Sequence, residues 1–372
     1  MRRIIVVWIG IMMLMGGMIG IVNLSTDAEA DDGDAENSAS KSEPTAHDPI
    51  YIDGNDDFIV GQNGVVSGSG TEGNPYIIGN WDINASNANG IDIRNTDKYF
   101  IIRNCVIHDG KDNNYRGVYF YKVTNGKIDM VTSYNNYGGI ILGSSSNNNQ
   151  ITDCNVYNDS AAGLLLSSSN NTITNCNVYN NPYYGISLNY ASNNQITNCN
   201  VYNNKKGIYL LGSSDNQITN CDIYNNSQYG IDLDYSSNNN AITNCDIYNT
   251  KYGINLLYSS NNKVRYSNIY NNTHYGIYNY NTELEYAITV TYCWWGSSDG
   301  PYHPDTNPTG TGDKVTENVL YDPWLTEPVE EGAGAEPEKK KEKGFIPAFE
   351  VATFLIAIVG VCIILLRKRK VL

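Results

Sequence analysis

Charged residues, phenylalanine and basic side chains are all scarce in this sequence, and each shortage excludes a class of protein. Charged residues make up 17% of the chain, below the roughly 25% usual for globular domains. There are 6 Phe against 30 Tyr, and few helix-forming residues between positions 50 and 325, which disfavours a helical domain. The net charge of -15 excludes nucleic acid as a partner, because phosphate binding requires a basic surface.

The abundant residues predict an all-β protein with many tight turns. Tyr, Ile, Val and Thr favour strands, whereas Asn, Ser and Gly favour turns. The phrase Ile-Thr-Asn-Cys-x-Ile/Val-Tyr-Asn recurs, followed by Gly-Ile-x-Leu and a cluster of Ser and Asn. The recurring glycines mark nine coils at intervals of 22 to 27 residues: Gly90, Gly117, Gly139, Gly163, Gly185, Gly207, Gly230, Gly253 and Gly276.

Each coil is too short to bury a core of its own, so the coils are expected to stack. We expect Ile186 and Leu188 to point inward and Ser187 outward, where residues vary freely. The strand that starts at Ile173-Thr174 is expected to continue through Val178-Tyr179. Stacking at the strand spacing of ~4.8 Å then buries a continuous aliphatic core, which predicts a solenoid.

Asparagines that follow the repeat tyrosine are predicted to form the turns. Asn tolerates the left-handed backbone, and stacked Asn side chains can bond from coil to coil. The residues expected to do so are Asn180, Asn203, Asn225, Asn249 and Asn271.

The repeats resemble those of right-handed parallel β-helix proteins, the NosD-like and pectin-lyase-like group of surface and periplasmic proteins. The resemblance covers residues 48–325. Gly68-Ser69-Gly70-Thr71 resembles the start of archaeal cell-surface members, and Trp294-Trp295-Gly296 resembles their closing coil. The resemblance implies an all-β, right-handed parallel β-helix, but little about function, because proteins of this fold have diverse activities.

The N-terminus carries the pattern of an export signal. Arg2 and Arg3 precede a long apolar run, and Ala28-Glu29-Ala30 fits a small-residue cleavage site. This pattern predicts a signal peptide over residues 1–30, with an uncleaved signal anchor as the alternative. Residues 31–47 are acidic and Ser-rich, which predicts disorder.

The C-terminus carries the pattern of a membrane anchor. Residues 326–345 are rich in Glu, Pro, Gly and Lys, which predicts a disordered stalk. The apolar residues 346–366 predict a transmembrane helix, with a buried core helix as the alternative, and the basic residues 367–372 predict a cytoplasmic tail. The β-helix of residues 48–325 is therefore expected to be an ectodomain on the cell surface.

Alignment of the repeats places seven cysteines in one column. A column of thiols could hold a metal or form disulfides, but zinc requires a tetrahedral ligand set and in-register side chains point in parallel. Val131 and Ser267 fill the same slot in the other two coils, so we predict small buried packing groups. The column contains Cys105, Cys154, Cys176, Cys199, Cys221, Cys245 and Cys293.

A second column places tyrosine at an outward position of successive coils. His108 and Tyr134 begin this aromatic ladder. Its rings could bind the sugar rings of a surface polysaccharide, or they could only stabilise adjacent strands, at ~0.2–1 kcal/mol per pair. The candidate carbohydrate-binding residues are Tyr157, Tyr179, Tyr202, Tyr224, Tyr248 and Tyr270.

Five Asn-x-Ser/Thr motifs are candidate glycosylation sites of an exported protein. They begin at Asn84, Asn158, Asn170, Asn225 and Asn271.

No catalytic residue, metal site or cofactor is predicted. Asp222 and Asp246 are possible neighbours on adjacent coils but have no Lys, Arg or His beside them, while Asp232 and Asp234 occupy varied repeat slots. NosD-like proteins are associated with copper, whose preferred ligands are Cys, Met and His. The ectodomain offers buried cysteines, dispersed histidines and only Met130.

These observations predict a membrane-anchored surface protein with a structural, adhesive or carbohydrate-binding role. The expected partners are the membrane and a surface polysaccharide or glycan. The first alternative is a polysaccharide lyase or glycoside hydrolase of the β-helix class. The second is a NosD-like copper-associated protein.

Overall fold

The computed structural model describes residues 43–330 of the chain. Within this range no helix is long and apolar enough to cross a bilayer. The predicted signal peptide at 1–30 and transmembrane helix at 346–366 lie outside the described residues.

Three long sheets run along the molecule, and each coil contributes one strand to each sheet. Sheet A has ten strands: β1 (Thr45–Ala46), β5 (Trp81–Asn84), β8 (Val106–His108), β11 (Thr132–Tyr134), β14 (Asn155–Tyr157), β17 (Asn177–Tyr179), β20 (Asn200–Tyr202), β23 (Asp222–Tyr224), β26 (Asp246–Tyr248) and β29 (Asn268–Tyr270). Sheet B has ten strands: β2 (Ile50–Asp53), β6 (Ile91–Thr96), β9 (Val118–Val123), β12 (Gly138–Leu142), β15 (Ala162–Leu166), β18 (Tyr184–Asn189), β21 (Lys206–Leu211), β24 (Tyr229–Asp234), β27 (Tyr252–Leu257) and β30 (Tyr275–Asn279).

Sheet C is the longest of the three sheets. It has twelve strands: β3 (Val65–Ser67), β4 (Tyr76–Gly79), β7 (Phe100–Arg103), β10 (Gly126–Asp129), β13 (Gln150–Thr152), β16 (Thr172–Thr174), β19 (Gln195–Thr197), β22 (Gln217–Thr219), β25 (Ala241–Thr243), β28 (Lys263–Arg265), β31 (Ile288–Thr291) and β34 (Val319–Leu320). A short sheet pairs β32 (Pro301–Tyr302) with β33 (Gly312–Lys314). Three short 3₁₀ helices span Asn55–Asp57, Lys111–Asn113 and Leu284–Tyr286.

Pairing is parallel and in register throughout the repeats, as a solenoid requires. Only β3 and β4 pair antiparallel among the described strands.

Within a coil the chain passes from sheet C to sheet A through a sharp corner at Asn175, whose φ is 55°. The prediction that Ile173 and Val178 share one strand is therefore wrong: the left-handed Asn175 turns the chain, so β16 and β17 belong to different sheets.

The core is a set of aliphatic columns, one copy per coil. Ile173, Val178, Ile186 and Leu188 are fully buried, as are their equivalents in neighbouring coils. This confirms that Ile186 and Leu188 point inward. Ser187 lies on the other side of β18, as predicted, although only 1% of its surface is exposed. The residues of this slot vary from coil to coil, as Ser187, Tyr209 and Asp232 show.

The cysteine column lies at the corner between sheets C and A and is entirely buried. All seven thiols are free, which confirms the packing prediction. The Sγ of Cys199 donates to the carbonyl of Thr197 at 3.3 Å, and each of the other six cysteines donates in the same way to the carbonyl two residues before it. Burial raises the pKa of Cys105 to about 11 and that of Cys293 to about 12, so these thiols stay protonated and unreactive at neutral pH.

Buried asparagine ladders join the coils along two edges. Asn180, Asn203, Asn225, Asn249 and Asn271 adopt the left-handed backbone as predicted, with φ of 52° to 57°. The coil-to-coil bonds come instead from the following residue, which the corner directs inward. Asn181 N–H donates to Asn204 Oδ1 at 2.9 Å, and Asn204 Nδ2 donates to the carbonyl of Val178 at 3.1 Å.

The second ladder repeats this pattern in every coil from Asn149 to Asn262, and the first repeats it from Asn136 to Asn226 and again from Thr250 to Asn272. Each bond satisfies a main-chain group that the sheets leave unpaired, for a net ~0.5–1.5 kcal/mol per bond. The first ladder contains Asn136, Asp159, Asn181, Asn204, Asn226, Thr250 and Asn272. The second contains Asn149, Asn171, Asn194, Asn216, Asn240 and Asn262.

Asp159 is the one carboxylic acid in the first ladder. Its Oδ1 accepts from Asn136 N–H at 2.8 Å, but its Oδ2 is buried and has no hydrogen-bond partner among the described residues. An asparagine in this slot donates through Nδ2 to a carbonyl, as Asn204 does, and an ionised carboxylate cannot. Burial raises the pKa of Asp159 well above its ordinary value, so the fold favours the protonated acid.

Replacing Asp159 by Asn should stabilise the rod in a pH-dependent way. The pKa is higher in the folded than in the unfolded chain, so the contribution of Asp159 to stability is greatest below pH ~4 and falls as the pH rises toward the folded pKa. The advantage of Asp159→Asn should therefore grow above pH ~4, reaching about 1–3 kcal/mol. Thermal unfolding of both proteins between pH 3.5 and 8 measures it. Asn204→Asp should impose the converse penalty, and a pH-independent difference would contradict this explanation.

Candidate functional site

The predicted tyrosine ladder, Tyr134 to Tyr270, is present on the outer face of sheet A. Adjacent rings are nearly parallel, with centroids 4.8–5.2 Å apart and interplanar angles of 1° to 11°. His108 stacks on one end at 5.4 Å, and Trp294 contacts the other end at 5.3 Å. The register that pairs Tyr179 with Tyr202 sets this spacing.

Stacking determines what the tyrosine ladder presents to solvent. Each ring face is covered by the next ring, so the half-buried side chains expose ring edges and hydroxyl groups. Burial raises the pKa of Tyr248 to about 12, so its hydroxyl remains neutral and able to donate. Within the stack, no aromatic face is left open for a sugar ring to pack against. This geometry supports the strand-stabilising hypothesis, while polysaccharide contact through the hydroxyls remains a prediction.

Replacing Tyr202, Tyr224 and Tyr248 together by Ser should lower the stability of the rod. Each lost ring pair costs about 0.5–1.5 kcal/mol. Denaturant unfolding measures the loss, and Tyr137→Ser, which removes a tyrosine outside the stack, is the control and should change stability little. An unchanged midpoint in the triple variant would show that the stack does not stabilise the strands.

All five candidate glycosylation motifs begin at exposed asparagines. Asn158, Asn170, Asn225 and Asn271 lie at left-handed corners, and Asn84 ends β5. Their side chains are open to solvent, as modification requires, and glycosylation remains a prediction.

A charged cluster that the sequence analysis missed lies on the outer face of sheet B. Lys206 Nζ lies 2.6 Å from Asp232 Oδ2 and 3.9 Å from Asp234 Oδ2. The same ammonium is 4.0 Å from the ring centroid of Tyr209, and the rings of Tyr184 and Tyr229 lie within 6 Å. We call these six residues the Lys206 cluster.

Burial makes the two carboxyl groups of the Lys206 cluster unequal. The side chain of Asp232 is 1% exposed and also accepts from Asn255 Nδ2 at 2.6 Å. Asp234 is 13% exposed, and burial together with the nearby Asp232 raises its pKa to about 6. Burial and these carboxylates also raise the pKa of Tyr209. The cluster thus combines a buried ion pair, a carboxyl that titrates near neutral pH and a phenol that stays protonated.

The sequence contains a clue to this cluster. The clue becomes visible when the residues at one position of the repeat are compared between coils. Lys206 occupies a slot that is tyrosine at 184, 229, 252 and 275, so it interrupts a run of tyrosines and is the one charged residue between Gly138 and Tyr275 in this slot. Pairing of β21 with β24 places Lys206 on the strand next to the one that carries Asp232 and Asp234. The sequence analysis considered two aspartate pairs and predicted no catalytic residue in either. Asp222 and Asp246 are register neighbours on sheet A as expected, whereas Asp232 and Asp234 prove to lie beside Lys206.

Within residues 43–330 no group of three or more His, Cys, Asp or Glu side chains is placed to hold a metal ion. Met130 is exposed at a corner of the solenoid.

Comparison with known families agrees with the three-sheet solenoid. The sequence model of the family described as "Right handed beta helix region" matches residues 50–194 and 147–293, which together cover more than half of the chain. The chain belongs to this family. No curated protein sequence matches this right-handed β-helix protein.

Several solved structures are similar to this right-handed β-helix protein at low sequence identity. The enzymatically active domain of bacteriophage CBA120 tailspike protein 2 is 14% identical, with a TM-score of 0.48 over 64% of this chain and 41% of that one. A mutant of the periplasmic alginate epimerase AlgG is 15% identical, with a TM-score of 0.49 over 77% and 85%. The A-module of the Azotobacter vinelandii mannuronan C-5 epimerase AlgE4 is 14% identical, with a TM-score of 0.47 over 77% and 90%. These similarities concern the fold alone.

Proposed function

We propose that this β-helix protein binds an extended polysaccharide along its rod. The observation that carries the proposal is the Lys206 cluster, in which tyrosine rings surround a buried ion pair on the outer face of sheet B. Burying Lys206 and Asp232 costs desolvation energy that a purely structural surface avoids by using neutral residues. Aromatic side chains beside fixed donors and acceptors are suited to a ligand with apolar ring faces and many hydroxyl groups.

Register explains why the ligand would be a polymer. The slots of Tyr209, Asp232, Asn255 and Tyr278 follow one another on adjacent strands at ~4.8 Å, so the rings of Tyr209 and Tyr278 lie in line along the rod axis on either side of two buried polar side chains. A short oligosaccharide reaches few of these slots, whereas a long chain reaches many at once. Affinity should therefore increase with polymer length.

The location of the protein is part of the same proposal. The apolar and basic patterns at 1–30 and 346–372 support an exported β-helix held at the cell surface by a single membrane span. In that position the rod would meet surface polysaccharides in a structural or adhesive role.

The full-length protein in detergent should bind polysaccharide on a glycan array, with affinity rising from oligomer to polymer of the same sugar. Tyr209→Ala should weaken binding by about tenfold, because the ring is lost from the Lys206 cluster. Tyr137→Ala, the same change at an exposed tyrosine outside both the Lys206 cluster and the stack on sheet A, is the matched control and should bind normally. Intact cells should lose polymer binding after external protease treatment. Arrays that stay blank for neutral and acidic polymers alike would refute the proposed function.

A second candidate function is cleavage of the bound polysaccharide by a hydrolase or lyase. The specific observation is that Asp234 has a pKa near 6, beside the neutral phenol of Tyr209. Such a carboxyl is suited to proton transfer near neutral pH. The buried Asp232 would hold Lys206 in place rather than touch a substrate.

Cleavage would show a characteristic pH dependence. If protonated Asp234 is the acid, product formation should be highest below about pH 6 and fall above it. Reducing-end release from the array-selected polymer, with ultraviolet absorbance to detect lyase products, measures the activity. Asp234→Asn should abolish it, and Asp222→Asn on sheet A is the matched control. Polymer that is bound but never shortened would exclude this function and leave binding intact.

A further inference from the structure

Three tyrosines at one edge of sheet B have a backbone conformation that suits tyrosine poorly. Tyr190, Tyr235 and Tyr258 follow the last residues of β18, β24 and β27, with φ of 50°, 47° and 48°. We call them the edge tyrosines. Asparagine fills most left-handed corners of this solenoid, and Gly212 occupies the same corner in the coil between Tyr190 and Tyr235. In this left-handed conformation bulky residues are sterically strained, whereas Asn and Gly are strained little or not at all.

The edge tyrosines are also largely open to solvent, although they lie in line along the rod. Their exposures are 78%, 60% and 48% for Tyr190, Tyr235 and Tyr258. A side chain that only stabilised the corner would be covered by its neighbours. Two other left-handed tyrosines, Tyr266 and Tyr292, stack on each other at 5.5 Å and are half-buried.

The rings of the edge tyrosines do not form a closed stack. Tyr235 and Tyr258 are 6.4 Å apart and tilted by 44°, and Tyr258 meets Tyr286 at 6.0 Å with the two rings at 73°, unlike the parallel rings on sheet A. A Cβ on Gly212 would come within 2.8 Å of the Tyr190 ring, so the missing side chain leaves room for this ring against the backbone. One face of Tyr190 thus rests on Gly212 while most of the side chain is exposed.

We infer that the edge tyrosines are the platform on which the pyranose rings of an uncharged polysaccharide stack, an inference that rests on the proposed function. The retained steric strain, the exposure and the absence of a closed stack all point to contact with a ligand. The ligand is uncharged because the protein carries a net charge of -15 and Asp234 directly precedes Tyr235, so a polyanion is repelled. Contacts through ring faces should be nearly independent of salt concentration, unlike contacts between charges.

The decisive variant replaces Tyr190, Tyr235 and Tyr258 together by Asn. Asparagine suits the left-handed corner, so the variant should melt at a higher temperature than the wild type while binding about tenfold more weakly. The probes are hydroxyethylcellulose and laminarin as neutral polymers, with alginate as the acidic one. Affinity electrophoresis of the full-length protein in detergent measures binding at low and high salt. Phe at the same three positions keeps the ring faces and should keep binding.

The possible outcomes separate this inference from the proposed function. Wild-type protein that binds none of the three polymers refutes both. Wild type that binds only alginate, or an Asn variant that binds neutral polymer normally while Tyr209→Ala does not, refutes the platform and leaves polysaccharide binding in place. An Asn variant that melts lower refutes the strain argument on which the inference depends. Sedimentation that shows wild-type dimers and Asn-variant monomers with equal polymer binding assigns the edge tyrosines to self-association instead.

Discussion

Parallel, in-register pairing between coils is the constraint on which every other feature of this protein depends. A side chain in a given slot meets the side chain of the same slot one strand away, as Tyr179 meets Tyr202 and Asn181 meets Asn204. A residue type that interacts well with itself is therefore favoured in every coil. Aliphatic residues, thiols, amides and phenols all satisfy that condition, which accounts for the composition of the chain.

The two outer faces described above respond to this constraint in opposite ways. Sheet A repeats one aromatic residue, and its rings interact mainly with each other. Sheet B breaks its repeat at Lys206 and Asp232, where unlike groups meet and become buried. Uniformity favours stability, whereas a departure from it creates a local chemistry that the neighbouring coils lack. Deviations within a column are thus the most informative positions of a repeat protein.

Features that depend on the length of the repeat could be predicted from the sequence. Features that depend on which of two adjacent residues points inward could not. The nine coils, the aliphatic columns and the buried cysteines follow from spacing alone. The asparagine ladder was displaced by one residue, because Asn203 and Asn204 are chemically identical and only the corner geometry directs the second inward. The Lys206 cluster required the strand register, since Lys206 and Asp232 are distant in sequence and meet only when β21 and β24 pair. The strained backbone of Tyr190 leaves no mark in composition or spacing.

The asparagine ladders also set how this protein ages. Asparagine side chains hydrolyse spontaneously to carboxylic acids over time, and Asp159 already shows the result of having an acid in the first ladder. Each further conversion, for example at Asn204, would remove an amide donor from a buried carbonyl and add another acid to the interior. Because Asn204 is bonded to the coils on both sides, through Asn181 and Asn226, the damage there would loosen two junctions at once. The intact stack holds these amides rigidly and away from water, so the lifetime of the rod depends on the tightness of its own packing.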